Sequence, residues 1–242
     1  MSVRVTTVPR ITRPGVGVVK VSTWRVGTPE RQRAAVDAIS EAWRRWDWPD
    51  GGLLSYSVMA GEDGETLLHY SQWRDEAAYQ DFVRAGRDAR NAEIDAAVPG
   101  IERMGLGSYE LYRSGEAAEG DTRVPGCVVI VDVEFDGPDR VRQREWTNAV
   151  FAALDNDPYD RTGAISAHFH VGTDGTRVLN YAEWESAEDH IAALNSPGEG
   201  IGSDTEQWEK VQNFPGRVGG TVNRYTPAIS LSAGPDAGPD AV

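Results

Sequence analysis

At 242 residues, with a net charge of −14 and a sequence pI of about 4.7, the chain is long enough for one large domain or two small ones. It is too acidic to offer the clustered Lys and Arg that hold nucleic acid, and it carries no basic amphipathic stretch for an anionic membrane surface. A lone cysteine, Cys127, excludes an intramolecular disulfide and a thiolate metal cluster. No apolar run approaches the roughly 20 residues that span a bilayer, and Met1 to Thr7 lacks the apolar core of a signal peptide, so the cytoplasm is the expected location.

The arm 1–15 holds two prolines and is expected to be extended. Val16 to Val26 is β-branched and apolar, a strand. Glu30 to Trp46 places Val36, Ile39, Trp43 and Trp46 at helical spacing. Leu53 to Ala60 and Glu65 to Trp73 are two strands around a tight turn. Glu76 to Ala97 is helical, with a break near Gly86, and Glu102 to Arg113 is a closing strand. A Gly, Ala and acidic stretch, 114–125, reads as a linker. A second series then runs Cys127 to Phe135, Arg140 to Leu154, Ala164 to Val171, Thr176 to Trp184, Ala187 to Leu194 and Arg217 to Tyr225. It contains a Gly-rich insertion, Ser196 to Asp204, and an extra helical piece, Thr205 to Asn213. The tail 228–242 repeats Gly-Pro-Asp-Ala and is expected to be disordered.

The two series match at a constant offset of 111 positions. Leu67-Leu68-His69-Tyr70-Ser71-Gln72-Trp73 lies over Val178-Leu179-Asn180-Tyr181-Ala182-Glu183-Trp184, and Gly61, Asp63 and Gly64 lie over Gly172, Asp174 and Gly175. The same offset carries Val18 and Val19 onto Val129 and Ile130. The expected fold class is therefore α+β: two ferredoxin-like β-α-β-β-α-β repeats, 16–113 and 126–227, forming a pseudo-dimeric α/β barrel.

Hairpin register decides which side chains meet. A three-residue loop with Gly third pairs Gly172 with Thr176. His168, His170, Asn180 and Trp184 then share one face of the second hairpin, and Ser57, Met59, His69 and Trp73 share the equivalent face of the first. A two-residue turn would instead put the histidines on the face opposite Asn180. Taken singly, these are ordinary strand residues; together, two His, one Asn and one Trp make poor core unless their polar groups are satisfied. A metal held by His168, His170 and a carboxylate lacks a further ligand at a recognisable spacing. Gly198-Glu199-Gly200-Ile201-Gly202 follows a helix rather than a strand, which weakens a dinucleotide reading. Trp73 and Trp184, at equivalent strand ends, suit an aromatic wall for a flat substrate.

Strand-borne Asn180-x-x-x-Trp184 within a duplicated ferredoxin-like unit resembles the antibiotic-biosynthesis monooxygenase family of dimeric α/β barrels. The resemblance implies oxidation of an aromatic polyketide, anthrone or phenol to quinone, by O2 without metal or bound prosthetic group. It implies that Asn180 and Trp184 handle oxygen, that His170 matches a histidine of some members, and that Tyr79 contacts substrate in a pocket between sheet and helices; His168 or His170 is the expected base, since imidazole titrates near neutrality, and Trp73, His69 and His190 are further expected substrate contacts. The pattern departs at His69, where Asn is wanted, at His190, where Tyr is wanted, and in the lack of a clear arginine match on the second helix. The second repeat is thus the expected seat of the chemistry. Haem-degrading members carry a histidine about ten residues after the tryptophan; Val83 and Leu194 stand there. Alternatives are an oxygenase of the same fold that opens an angucycline-type ring with diffusible reduced flavin, and a non-oxidative cyclase or polyketide-binding protein. A homodimer of pseudo-dimers is compatible with all of these.

Overall fold

A computed structural model describes residues 3–49, 51–115, 117, 119–156, 163–195 and 201–233. Their contacts divide into two units: residues 1–109 with 225–242, and residues 110–224.

The first unit runs β1 (Val3–Val5), β2 (Val18–Arg25), α1 (Pro29–Arg45), β3 (Leu53–Gly61), β4 (Thr66–Trp73), α2 (Glu76–Phe82), a π-helical turn (Val83–Arg87), α3 (Asp88–Ala97) and β5 (Glu102–Gly115), the last up to Tyr109. The second takes the rest of β5, then β6 (Cys127–Phe135), α4 (Arg140–Asp155), β7 (Ala164–Gly172), β8 (Arg177–Trp184), α5 (Ala187–Leu194), α6 (Glu206–Gln212) and β9 (Arg217–Ala233) as far as Arg224. The strands of the first unit are ordered β5-β2-β4-β3 and those of the second β9-β6-β8-β7, each the split βαβ order. The final segment of β9 pairs with β3 and with β1, so a strand continues through 228–233, where a disordered tail is predicted. Residues 234–242 of that tail, and 196–200 of the Gly-rich insertion, lie outside the described residues.

The helices begin where polar caps satisfy their free amides. Thr28 caps α1 with Pro29 in its first turn, Asp139 caps α4 and Asp75 caps α2. Amphipathic α1 buries Ala35, Ile39, Ala42 and Trp43 against Val18, Val58, Leu67 and Trp73. In the second unit Trp146, Val150 and Phe151 of α4 pack on Val133, Phe169 and Val178. Each unit also has a glutamine clasp. The Gln32 side-chain amide donates to the carbonyls of Gly61 and Thr66 at 2.9 and 2.8 Å, and that of Gln143 to Gly172 and Arg177 at 3.2 and 2.6 Å. Both clasps tie a helix to the two ends of a hairpin turn.

These clasps keep the 111-position spacing, but the first strands do not. Val18 pairs with Trp73 and Cys127 with Trp184, so by register Val18 corresponds to Cys127 rather than to Val129. The connection from β6 to α4 is longer by two residues, which absorbs the difference without changing the face of either strand.

The hairpin turns also differ from expectation. Four residues, Thr173 to Thr176, separate β7 from β8. A type I turn closes with Gly175 N–H donating to Gly172 O at 3.0 Å, Gly175 takes a left-handed φ of 81°, and the Asp174 carboxylate accepts from Thr176 N–H at 2.9 Å, holding the extra residue in place. Gly61 to Thr66 repeats the arrangement. The pairings become Val171 with Val178, His170 with Leu179, Phe169 with Asn180 and His168 with Tyr181.

Candidate active sites in the two units

A one-residue change of register turns a strand over. His168 and His170 therefore lie on the face opposite Asn180, and the predicted four-residue cluster does not form. Phe169 takes their place, on the helix-packed face with Asn180, Ala182 and Trp184. His170 is fully buried and its Nδ1–H donates to the His168 carbonyl at 3.0 Å; His168 Nδ1 is 2.8 Å from Ser114 Oγ. Burial lowers His168 to about 4 and His170 to about 3, so both are neutral near pH 7. In the first unit the same correction brings Tyr56 and Val58, rather than Ser57 and Met59, to the face of His69 and Trp73.

On that face the first unit encloses a cavity of about 350 Å³. One wall is the sheet, with Lys20, Ser22, Trp24, Tyr56, His69, Ser71 and Trp73; the helices supply Trp43, Tyr79, Phe82, Arg87, Arg90 and Asn91, and β5 supplies Arg103. Two layered stacks organise it. Arg103 lies over Trp24 at 4.5 Å, and Trp24 lies 4.0 Å from the His69 ring. Arg90 lies over Trp43 at 4.1 Å, and Trp43 stacks on Tyr56 at 4.3 Å. A hydrogen bond of 2.8 Å between Tyr56 Oη and His69 Nδ1 joins them into one row, Arg103–Trp24–His69–Tyr56–Trp43–Arg90.

The charges in this row are poorly compensated. Arg90 is only 6% exposed; its Nη2 donates to the Asp47 carbonyl, while Nε and Nη1 are buried without a hydrogen-bond partner. His69 Nε2 is likewise buried and unpartnered. Burial, then the positive charge of Arg103, lowers His69 to about 3, so its ring is neutral at pH 7. Lys20 is buried, paired to Glu76 and Ser108 at 2.6 Å, and sits 4.3 Å over the Tyr79 ring. The Trp73 indole N–H donates to Ser71 Oγ at 2.9 Å, and its ring meets Tyr79 edge-on. Sequence reasoning found His69, Trp73 and Tyr79 here but missed Tyr56, Arg87, Arg90 and Arg103. The π-helical turn hides part of the pattern. An unbroken α-helix continuing from Tyr79 would present Val83, Gly86 and Glu93 on the Tyr79 side; the wide turn brings Arg87, Asn91 and Ile94 there instead. Counting three unbroken turns from Tyr79 lands on Arg90, but the wide turn between them breaks that count.

The second unit holds a cavity of about 420 Å³ on its helix-packed face, lined by Asn180, Trp184, His190, Trp208, Phe169, Ser166 and aliphatic side chains. Asn180 Oδ1 and Trp208 Nε1 are buried there without hydrogen-bond partners. Trp184 meets His190 edge-on at 5.0 Å, and Arg224 Nε donates to His190 Nδ1 at 3.0 Å. Among the described residues no group of His, Cys, Asp and Glu is placed to hold a metal ion, and no helix is long and apolar enough to cross a membrane.

Solved structures share this fold along most of the chain. An anthrone oxidase-like protein is 18% identical with a TM-score of 0.67, over 90% of this chain and 93% of its own. A protein from Fusobacterium nucleatum described as a monooxygenase is 9% identical with a TM-score of 0.55, over 92% and 97%. A chlorite dismutase from Candidatus Nitrospira defluvii is 13% identical with a TM-score of 0.51, over 90% and 92%. No protein-family model matches the sequence, and no curated protein matches it. The likeness is one of fold, and the matched proteins span more than one chemistry, so residue roles rest on the two cavities themselves.

Proposed function

We propose that this protein is an oxidoreductase that uses O2 to oxidise an ionisable aromatic compound, an aromatic polyketide of the anthrone or phenol type, in the first-unit cavity. The observation that carries the reading is the row Arg103–Trp24–His69–Tyr56–Trp43–Arg90, which sets a neutral imidazole between two guanidinium groups in an aromatic slot. Among the described residues the second unit offers no comparable base on its cavity face, because the register carries His168 and His170 away and Arg224 donates to Nδ1 of His190, which places that ring's hydrogen on Nε2.

Oxidation of such a substrate by O2 begins with loss of a phenol or enol proton. Neutral His69 takes it at Nε2, in the tautomer whose Nδ1–H donates to Tyr56 Oη. Its proton affinity is low in the empty site, but an anion formed beside it offsets Arg103 and raises it. Arg90, with two unsatisfied N–H edges, and Arg103 stabilise the anion as it forms. The electron-rich anion passes one electron to O2; the substrate radical and superoxide combine into a C–O bond, and the proton held by His69 completes the hydroperoxide. Loss of water from a CH–OOH centre leaves the quinone carbonyl. Trp24, Trp43 and Phe82 keep the slot apolar around the reacting ring.

Oxygen uptake with 1,8-dihydroxyanthrone tests this. Wild type should consume O2 and form the anthraquinone with no added metal or flavin, and His69→Ala and Arg90→Met should lose most of the rate. Full activity in both variants overturns the assignment. Strict dependence on added reduced flavin would move the protein to the flavin-using oxygenases of the same fold.

A further inference from the structure

The second cavity differs from the first in chemistry. Four cationic side chains, Lys20, Arg87, Arg90 and Arg103, line the first; among the described residues no Asp, Glu, Lys or Arg lines the second. A charged ligand would find no counter-ion among the described lining residues and would pay for its desolvation. The polar groups present are few and defined. Asn180 Oδ1 is an unsatisfied acceptor and Trp208 Nε1–H an unsatisfied donor, both buried. His190 supplies a third. A guanidinium only donates, so the 3.0 Å contact from Arg224 Nε requires a lone pair on His190 Nδ1. Burial, then the Arg224 charge, lowers His190 to about 4, so the ring is neutral and its single hydrogen resides on Nε2.

We propose that the second-unit cavity is a separate receptor for a neutral, flat aromatic ligand bearing both a ketone or quinone oxygen and a hydroxyl group, with Arg224 the positioning residue that makes His190 the donor to the carbonyl. The hydroxyl meets Asn180 Oδ1, and Trp208 and His190 supply hydrogen to the carbonyl. Phe169 and Trp184 flank the ring from the sheet, and Val129, Val131 and Val150 are among the aliphatic groups that complete a slot of about 420 Å³, suited to two or three fused rings. Arg224 acts without touching the ligand. It is the residue whose loss would free His190 to place its hydrogen on either nitrogen. The inference needs no chemistry in the first unit and is tested without turnover.

The experiment uses the full chain with 15N-labelled histidine, under argon, titrated with 6-acetyl-2-naphthol and, separately, with its anionic counterpart 6-hydroxy-2-naphthoate. Resonances of His190 are assigned by their loss in His190→Phe. In the free protein His190 should show the Nε2–H pattern, and the ketone should shift it saturably. Asn180→Leu should weaken that binding about tenfold, whereas Arg90→Met should leave it within twofold. Arg224→Leu should erase the tautomer bias and weaken binding, and Arg224→Gln, whose amide can still donate, should restore both. The naphthoate should leave His190 unmoved. An Nδ1–H pattern in the free protein, no shift with the ketone, or equal response to the anion overturns the proposal.

Discussion

Tyr56 and His69 are diagonal neighbours on β3 and β4, and their 2.8 Å hydrogen bond joins two cation–aromatic stacks that would otherwise be separate. The bond occupies Nδ1 and leaves Nε2 as the reactive edge of the ring. Removing the imidazole should cost about 10²- to 10⁴-fold in kcat, the usual worth of a positioned acid or base. Tyr56→Phe keeps the stack on Trp43 and loses only the orienting bond. Its kcat should fall by about tenfold with KM little changed, in steady-state oxygen uptake; equal losses for the two variants would show that Tyr56 reacts rather than orients.

Arg90 trades stability for binding. A buried guanidinium with two unpartnered nitrogens is a standing cost in the empty protein. Arg90→Met keeps the packing on Trp43 and Phe82 and removes that cost, so Tm should stay the same or rise. The same change should raise KM for an anionic substrate by about 10- to 100-fold, the worth of one or two charge-assisted hydrogen bonds. Thermal unfolding and substrate saturation on one preparation check both halves.

All four histidines are buried and held below their ordinary value, His69 and His170 to about 3, His168 and His190 to about 4. The unfolded chain takes up these protons near pH 6.5 and the folded chain does not. Stability is therefore complete above about pH 6.5 and declines as the pH falls from there toward the folded values. The urea midpoint should drop steadily between pH 7 and pH 4.5, before the capping carboxylates Asp75 and Asp139, which are lowered by backbone amides, begin to titrate. A flat midpoint over that interval would contradict the burial of these rings.

Gln143→Leu should destabilise the second unit by roughly 1–2 kcal/mol, because it removes two hydrogen bonds, although the Gly172 carbonyl keeps the Gly175 N–H. Gln32→Leu should act alike on the first unit through Gly61 and Thr66. Urea titration followed by tryptophan fluorescence gives both values.

Much of the fold was legible because it rests on periodicity. Strands, helices and the 111-position match follow from alternating apolar residues and from turn glycines, and the strand order follows from β-α-β-β-α-β. The candidate site was less so. Asn180, Trp184, His69, Trp73 and Tyr79 do lie on cavity faces, because residues four apart on a strand share a face whatever the register. The histidines were misplaced because loop length, four residues rather than three, depends on where the Asp174 side chain bonds, and composition cannot reveal that. The cations of the first cavity come from β2, the π-helical turn, α3 and β5, and no local motif joins them.

The π-helical turn at Val83–Arg87 amounts to one surplus residue in an otherwise regular helix. The wide turn absorbs it, so Arg87 and Asn91 hold the faces they would take in a helix one residue shorter. Deleting a single residue there should therefore leave the basic wall on the Tyr79 side, with the helix running regularly through it. Ancestry along this helix has to be traced with a gap, since position-by-position alignment to a relative lacking the extra residue would compare side chains that point in different directions.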